Sequence, residues 1–278
     1  MNFYLLFVIT CIVVFIILFL LFEMDRNFNG NSGCTMFFYY IQVFPLPLVG
    51  LYNTLIRLTH PEHKHVFQVN SFPDHAILKT DWKSIQSEAL ELYSKKDVLL
   101  NMNDIGVMGN FSGIDAEKGK WKVFVLKWYD EPLENAKKHC PNTVSVIEKC
   151  QHVRAAMFSI LEPGKYIPPH KGPFTGCLRY HMGLKVPKDR ENCYIEVNKE
   201  KFSWSEGEAF VFDDTYIHSV YNNTNEPRII LFIDIERPLR YPLNEVNRML
   251  CNTAKFANFT KGVNDRSERS LELFHNYR

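Results

Sequence analysis

The seven cysteines of this 278-residue chain form no C-x-x-C pair, which excludes zinc knuckles and dithiol redox centres; their odd number leaves at least one thiol unpaired. Excess charge of one sign is also missing. The formal net charge is +1 and the pI is near 7.6, so no field favours nucleic acid or an acidic polymer, and nucleic-acid binding is not expected. There is no internal repeat and no low-complexity segment. The amino terminus lacks the basic start, the short apolar core and the small-residue cleavage site of a secretory signal peptide.

What stands at the amino terminus is an uninterrupted apolar run, FYLLFVITCIVVFIILFLLF, over residues 3–22. About 20 such residues suffice to cross a hydrocarbon layer as a helix. The chain is therefore expected to be a single-pass membrane protein. Glu23, Asp25 and Arg26 follow without a basic excess, so the side on which the rest of the chain lies stays open. Asn110, Asn222 and Asn258 each begin an N-x-S/T triplet, which would matter in a secretory lumen.

Residues 36–58 are apolar again, but Pro45, Pro47 and Arg57 argue against a second span; the segment reads either as interfacial or as cover for the folded domain's core. His60, His63 and His65 lie in the polar stretch after it and read as a solvated linker, not as metal ligands. From Asp81, placed as a cap, Trp82, Ile85, Ala89, Leu92 and Tyr93 recur at helical spacing. Residues 121–128 suit a strand, Pro132 opens a short helix, and Thr143 is placed as the cap of another.

From Val153 onward, β-branched and aromatic runs at 155–161, 178–186, 193–197, 209–213, 217–221 and 228–235 are separated by Gly, Pro and Asn turns. Six or more short strands of this kind predict a β-sandwich or jelly roll, not a βαβ sheet. A helix after Pro242, to about Phe259, and a charged tail complete the chain.

Within the β-rich part stand His170, bracketed by Pro168, Pro169 and Pro173; Arg179 and His181 in LRYH; and His218 at the end of FDDTYIH, followed by Arg228. Alternation along a strand puts Arg179 and His181 on one face and Tyr180 and Met182 on the other. An outward, wetted face continued by Lys185 accounts for the first pair if the strand is taken alone. His170 just upstream, in a turn leading into that strand, favours a site. His218 and Arg228 are separated by a hairpin-length connection, which predicts adjacent strands. Neutral imidazoles hold a divalent metal and guanidinium groups hold carboxylates through paired hydrogen bonds, so the set is suited to presenting a metal and a dicarboxylic acid to each other.

The segments WKVFVLKWYDE, AAMFSILEPG, LRYHMGLKVP, FDDTYIH and RIILFIDIERPL resemble the aspartyl/asparaginyl β-hydroxylase family, from about Phe72 to Leu239, and are most similar to its bacterial lipid A 2-hydroxylase subgroup. The resemblance implies a double-stranded β-helix (jelly-roll) oxygenase, mainly β with flanking helices, that uses Fe(II), 2-oxoglutarate and O2. It implies His170 and His218 as iron ligands. Arg228, aided by Ser159, would hold the distal carboxylate of 2-oxoglutarate, and Arg179 and His181 the carboxylate beside the keto group. Against the usual H-x-D facial triad this chain has His170-Lys171-Gly172, so the site either works with two protein ligands and an extra water or has lost activity. Asp213 and Asp214 are expected to orient His218 without ligating, and Trp204 to pack a hairpin in preference to lining the mouth.

The implied layout is an anchor at 1–23, a juxtamembrane segment at 24–66, the dioxygenase domain at 67–240 and a C-terminal helix and tail at 241–278. The substrate is expected to be a peptidyl Asp or Asn, or a lipid acyl chain. From another class, a membrane-tethered 2-oxoglutarate-binding protein without oxidation accounts for the same residues.

Overall fold

In the computed structural model the described residues are 45–59, 64–95, 99–105, 121–129, 131–254 and 262–268. The span expected at 3–22, the linker residues His60 and His63, and the triplets at Asn110 and Asn258 lie outside them. Among the described residues no helix is long and apolar enough to cross a membrane. The chain divides into two compact units, Met1–Leu55 and Ile56–Arg278. Helix α1, Pro45–Thr59, begins on the very prolines that argue against a span: in the first turn their missing N–H has no helical partner to lose.

Among its described residues the second unit has eleven strands: β1 (Val66–Phe67), β2 (Leu100–Asn101), β3 (Trp121–Trp128), β4 (Val153–Leu161), β5 (Tyr166–His170), β6 (Cys177–Lys185), β7 (Cys193–Val197), β8 (Glu200–Ser203), β9 (Ala209–Phe212), β10 (His218–Asn222) and β11 (Arg228–Glu236). They form a seven-stranded sheet ordered β1-β9-β6-β11-β4-β3-β2 and a four-stranded sheet ordered β5-β10-β7-β8, with antiparallel strand pairs throughout. From β4 on, successive strands alternate between or fold back within the two sheets in the manner of a jelly roll. Helices α2 (Asp74–Thr80), α3 (Trp82–Ser94), α4 (Glu134–His139) and α5 (Pro141–Lys149) pack on the large sheet and on one another; α6 (Leu243–Thr253) lies by β11.

Helix α3 shows why the layer holds. Ile85, Ala89 and Leu92 recur on one stripe and are buried, as its spacing predicts. Glu88 lies on the same stripe, and its carboxylate accepts the N–H groups of Asn142 (2.9 Å) and Thr143 (2.8 Å) and the Thr143 hydroxyl (2.6 Å). Those N–H groups open α5 and have no partner within it. Thr143 is thus inside the helix and not its cap: Pro141 occupies the first turn and a neighbouring helix supplies the acceptor. Asp81 does occupy the cap position of α3, without a side-chain cap bond.

The connection from β10 to β11 is not a hairpin within one sheet. β10 pairs with β5 and β7, β11 with β4 and β6, so the chain crosses from the small sheet to the large one. Fully buried Asn222 fixes the crossing: its Nδ2 donates to Leu161 O (2.9 Å) and Glu226 O (3.0 Å), while its Oδ1 accepts the Thr224 hydroxyl (2.7 Å).

Candidate active site

The register of the small sheet sets His170, the last residue of β5, directly opposite His218, the first of β10. Proline is tolerated on an edge strand, so Pro168 and Pro169 lie within β5 and not in a turn. The two imidazole rings have centroids 4.1 Å apart. Each ring is tied in the same way: Nδ1 of His170 meets Pro168 O at 2.9 Å, and Nδ1 of His218 meets Tyr216 O at 2.9 Å. A carbonyl accepts only, so both Nδ1 atoms carry the proton and both Nε2 atoms present a lone pair. Burial lowers the pKa of His170, and burial together with the facing His170 lowers that of His218 to about 3, so both rings are neutral near pH 7. Neutral rings with fixed tautomers fit a divalent metal.

Gly172 closes the third position in an unexpected way. A Cβ built on it would lie 2.0 Å from Oδ2 of Asp214 and 2.2 Å from its carboxyl carbon, so the space of a residue-172 side chain is filled by the Asp214 carboxylate. The backbone locks this arrangement, with Gly172 N donating to Asp214 O at 2.7 Å. Contrary to the expectation from the sequence, neither aspartate orients His218 by a hydrogen bond; that task falls to Tyr216 O. Asp214 takes the Arg179 Nε–H at 2.8 Å, and Asp213 pairs with Arg237 and accepts the Thr215 hydroxyl at 2.7 Å. Among the described residues no three His, Cys, Asp or Glu side chains converge on a metal position.

The large sheet faces this pair with two rows of side chains. Arg179 of β6 stands opposite Phe212 of β9 and Asp234 of β11; His181 stands opposite Phe210 and Phe232. Arg179 and His181 do share a face, and it is buried, not a wetted surface. His181 is caged by Phe212 and Phe232, with ring centroids at 5.1 and 5.0 Å, and neither of its nitrogens has a hydrogen-bond partner. Burial and then the charge of Arg228 hold its pKa well below the usual imidazole value.

Arg228 opens β11 on the same inner face and is 2% exposed. It sits on the sheet opposite the one that carries His218, which corrects the expectation of adjacent strands. Its guanidinium lies 4.7 Å above the Trp204 ring, its Nη2 donates to Ser159 Oγ at 3.4 Å, and its Nε has no partner. Burial lowers its pKa to about 10, and it still carries its charge near neutrality. Ser159 Oγ also accepts the Trp121 indole N–H at 3.0 Å, so its own proton is left to give. Trp204, 1% exposed, lies beneath Arg228 and also packs on Phe210 of β9, so the expected packing residue borders the inner space as well. Sequence reasoning missed the role of Trp121; an indole in strand alternation carries no sign of which hydroxyl it meets.

Among the described residues, the inner space of the jelly roll thus holds a buried cation with no carboxylate beside it, two imidazole nitrogens of His181 without a hydrogen-bond partner, and a facing pair of neutral histidines, a set suited to an anion and a divalent metal. The family model for aspartyl/asparaginyl β-hydroxylase matches residues 79–238. An ornithine lipid ester-linked acyl 2-hydroxylase of Rhizobium tropici is 36% identical over 210 residues, covering 75% of this chain and 74% of that protein. The aspartyl/asparaginyl β-hydroxylases of Mus musculus and Homo sapiens are 32% identical over 166 residues, 58% of this chain but only 21% of theirs. The chain belongs to the aspartyl/asparaginyl β-hydroxylase family.

Proposed function

We propose that the protein is an Fe(II)- and 2-oxoglutarate-dependent oxygenase that hydroxylates a C–H bond of a lipid acyl chain. The observation that carries the cosubstrate assignment is Arg228: among the described residues its buried, charged guanidinium has no carboxylate partner and its Nε is unsatisfied, a cost that a bound anion would relieve. In this reading Arg228 and the Ser159 hydroxyl hold the distal carboxylate of 2-oxoglutarate, Arg179 and His181 steady the carboxylate beside its keto group, and His170 and His218 hold the metal. Bound Fe(II), with O2, supplies the oxidising chemistry: substrate C–H, 2-oxoglutarate and O2 become C–OH, succinate and CO2. The side chains bind, orient and keep water out; the aromatic cage of Phe210, Phe212 and Phe232 does the last.

Lipid is preferred to peptide because the likeness to the acyl 2-hydroxylase runs over three quarters of both chains, whereas the peptide enzymes match over about a fifth of their own length. The apolar run at residues 3–22, read as a single membrane span, would hold the domain against such a substrate.

The test is succinate formation by the full chain after anaerobic loading with Fe(II) and admission of O2, with membrane lipids or Asp/Asn peptides added, and mass spectrometry for a gain of one oxygen. Lipid-dependent succinate supports the proposal; peptide-dependent succinate moves the substrate, and no iron binding and no turnover favours a tethered binding protein. Arg228→Met should abolish 2-oxoglutarate binding by calorimetry, a loss of at least about 100-fold, since a charged hydrogen-bonding partner of a buried carboxylate is removed. Retained affinity would refute the role given to Arg228.

A further inference from the structure

Tyr129, just beyond the end of β3, has a left-handed backbone with φ 53°. Such a conformation costs an aromatic L-residue on the order of 1 kcal/mol and persists where surrounding contacts impose it. Here the Tyr129 N–H donates to Arg154 O at 2.7 Å and the ring rests edge-on against Trp128. The consequence is that the phenol reaches Asp234, donating to Oδ2 at 3.1 Å, with Cys177 Sγ at 3.8 Å beyond it. Burial raises the phenol pKa well above its ordinary value, so it remains a donor.

Asp234 is itself buried and stands opposite Arg179 in the β11–β6 register. Its Oδ2 holds the phenol while Oδ1 is in ion-pair contact with Arg179 Nη1. Arg179 Nε goes to Asp214, and the guanidinium lies 4.9 Å above the Phe232 ring. The guanidinium is thus fixed on two edges and one face, leaving Nη2 for a further acceptor. If the phenol bond were absent, the Asp234 carboxylate would be free to turn about its terminal torsion and take Arg179 with both oxygens, the geometry a carboxylate and a guanidinium prefer.

We propose that Tyr129 is a positioning residue: through Asp234 it sets the guanidinium of Arg179 so that its remaining amino group meets the carboxylate beside the keto group of 2-oxoglutarate. The inference rests on the reading of this pocket as the 2-oxoglutarate site.

The experiment is calorimetric titration of 2-oxoglutarate into the full chain loaded with Mn(II) in place of Fe(II), for wild type, Tyr129→Phe, Asp234→Asn and the double variant, with Mn(II) affinity and melting temperature measured alongside. Tyr129→Phe should bind 2-oxoglutarate about ten-fold more weakly, the scale of one hydrogen bond to a charged group, with Mn(II) affinity unchanged within about two-fold. The double variant should be no weaker than Asp234→Asn alone, because the phenol acts through that carboxylate. A Tyr129→Phe variant that melts lower but binds 2-oxoglutarate as wild type does overturns the proposal, as do additive losses in the double variant. Wild-type protein that binds Mn(II) but no 2-oxoglutarate fails the cosubstrate reading instead, and that outcome is read before any variant is compared.

Discussion

Gly172 carries no side chain because the Asp214 carboxylate already stands where its Cβ would be. A missing acidic ligand at this position is therefore not a gap waiting to be filled. Gly172→Asp should displace Asp214, break its bond to Arg179 Nε and lower stability by about 1–3 kcal/mol, the usual cost of overpacking. Chemical denaturation would show this, and the double variant Gly172→Asp, Asp214→Gly should recover most of the loss by vacating the space. If Gly172→Asp alone is as stable as wild type, the carboxylate does not occupy that position in solution. The glycine was legible in the sequence as a departure from H-x-D; that its space is taken by a residue 42 positions later was not, because only the closed sandwich brings the two turns together.

Among the elements, the strands rich in β-branched and aromatic residues, with one or both faces buried, were legible to within one or two residues: β3, β4, β6, β7, β9, β10 and β11. Those that were not are edge or very short strands. β5 is an edge strand whose two prolines read as a turn, and β8 is the opposite edge, with exposed Glu200 and Lys201. The helix layer holds a similar case. Periodicity placed α3 but said nothing of Glu88, which looks like an ordinary helix former and is the cap of α5. Glu88→Ala should leave the opening N–H groups of that helix buried without a partner and destabilise the protein by about 1–3 kcal/mol in urea denaturation. Because α3 lies on the outer face of the large sheet, 2-oxoglutarate affinity should not change; if it does, the helix layer is coupled to the site.

For the molecule as a whole, the inner space between the sheets governs response to acid. His170, His181 and His218 all have folded-state pKa values lowered below 6.5, with burial the first cause. Below pH 6.5 the unfolded chain binds protons that the folded one refuses, so stability rises with pH and is lost as pH falls from about 6.5 toward the folded values, near 3 for His218. Each ring contributes at most about 1.4 kcal/mol per pH unit in that window. Metal-stripped protein should thus lose stability between pH 7 and 5, and His181→Phe should flatten that slope, since a phenyl ring suits a cage of phenylalanines. An unchanged slope would mean that His181 is protonated in the folded state. The sequence identified all three histidines; it could not tell a same-sheet hairpin from a crossing between sheets, since both connections have the same length and turn residues. That is why Arg228 was expected beside His218 and is found on the facing sheet.

The crossing has one more consequence. The amide nitrogen of Asn222 that would carry an oligosaccharide in the Asn222-Asn223-Thr224 triplet is the nitrogen that ties β10 to Leu161 and Glu226. Sugar transferred there while the chain is still extended would hold the two sheets open. Occupancy at that asparagine, measured by peptide mapping, thus counts molecules that never closed.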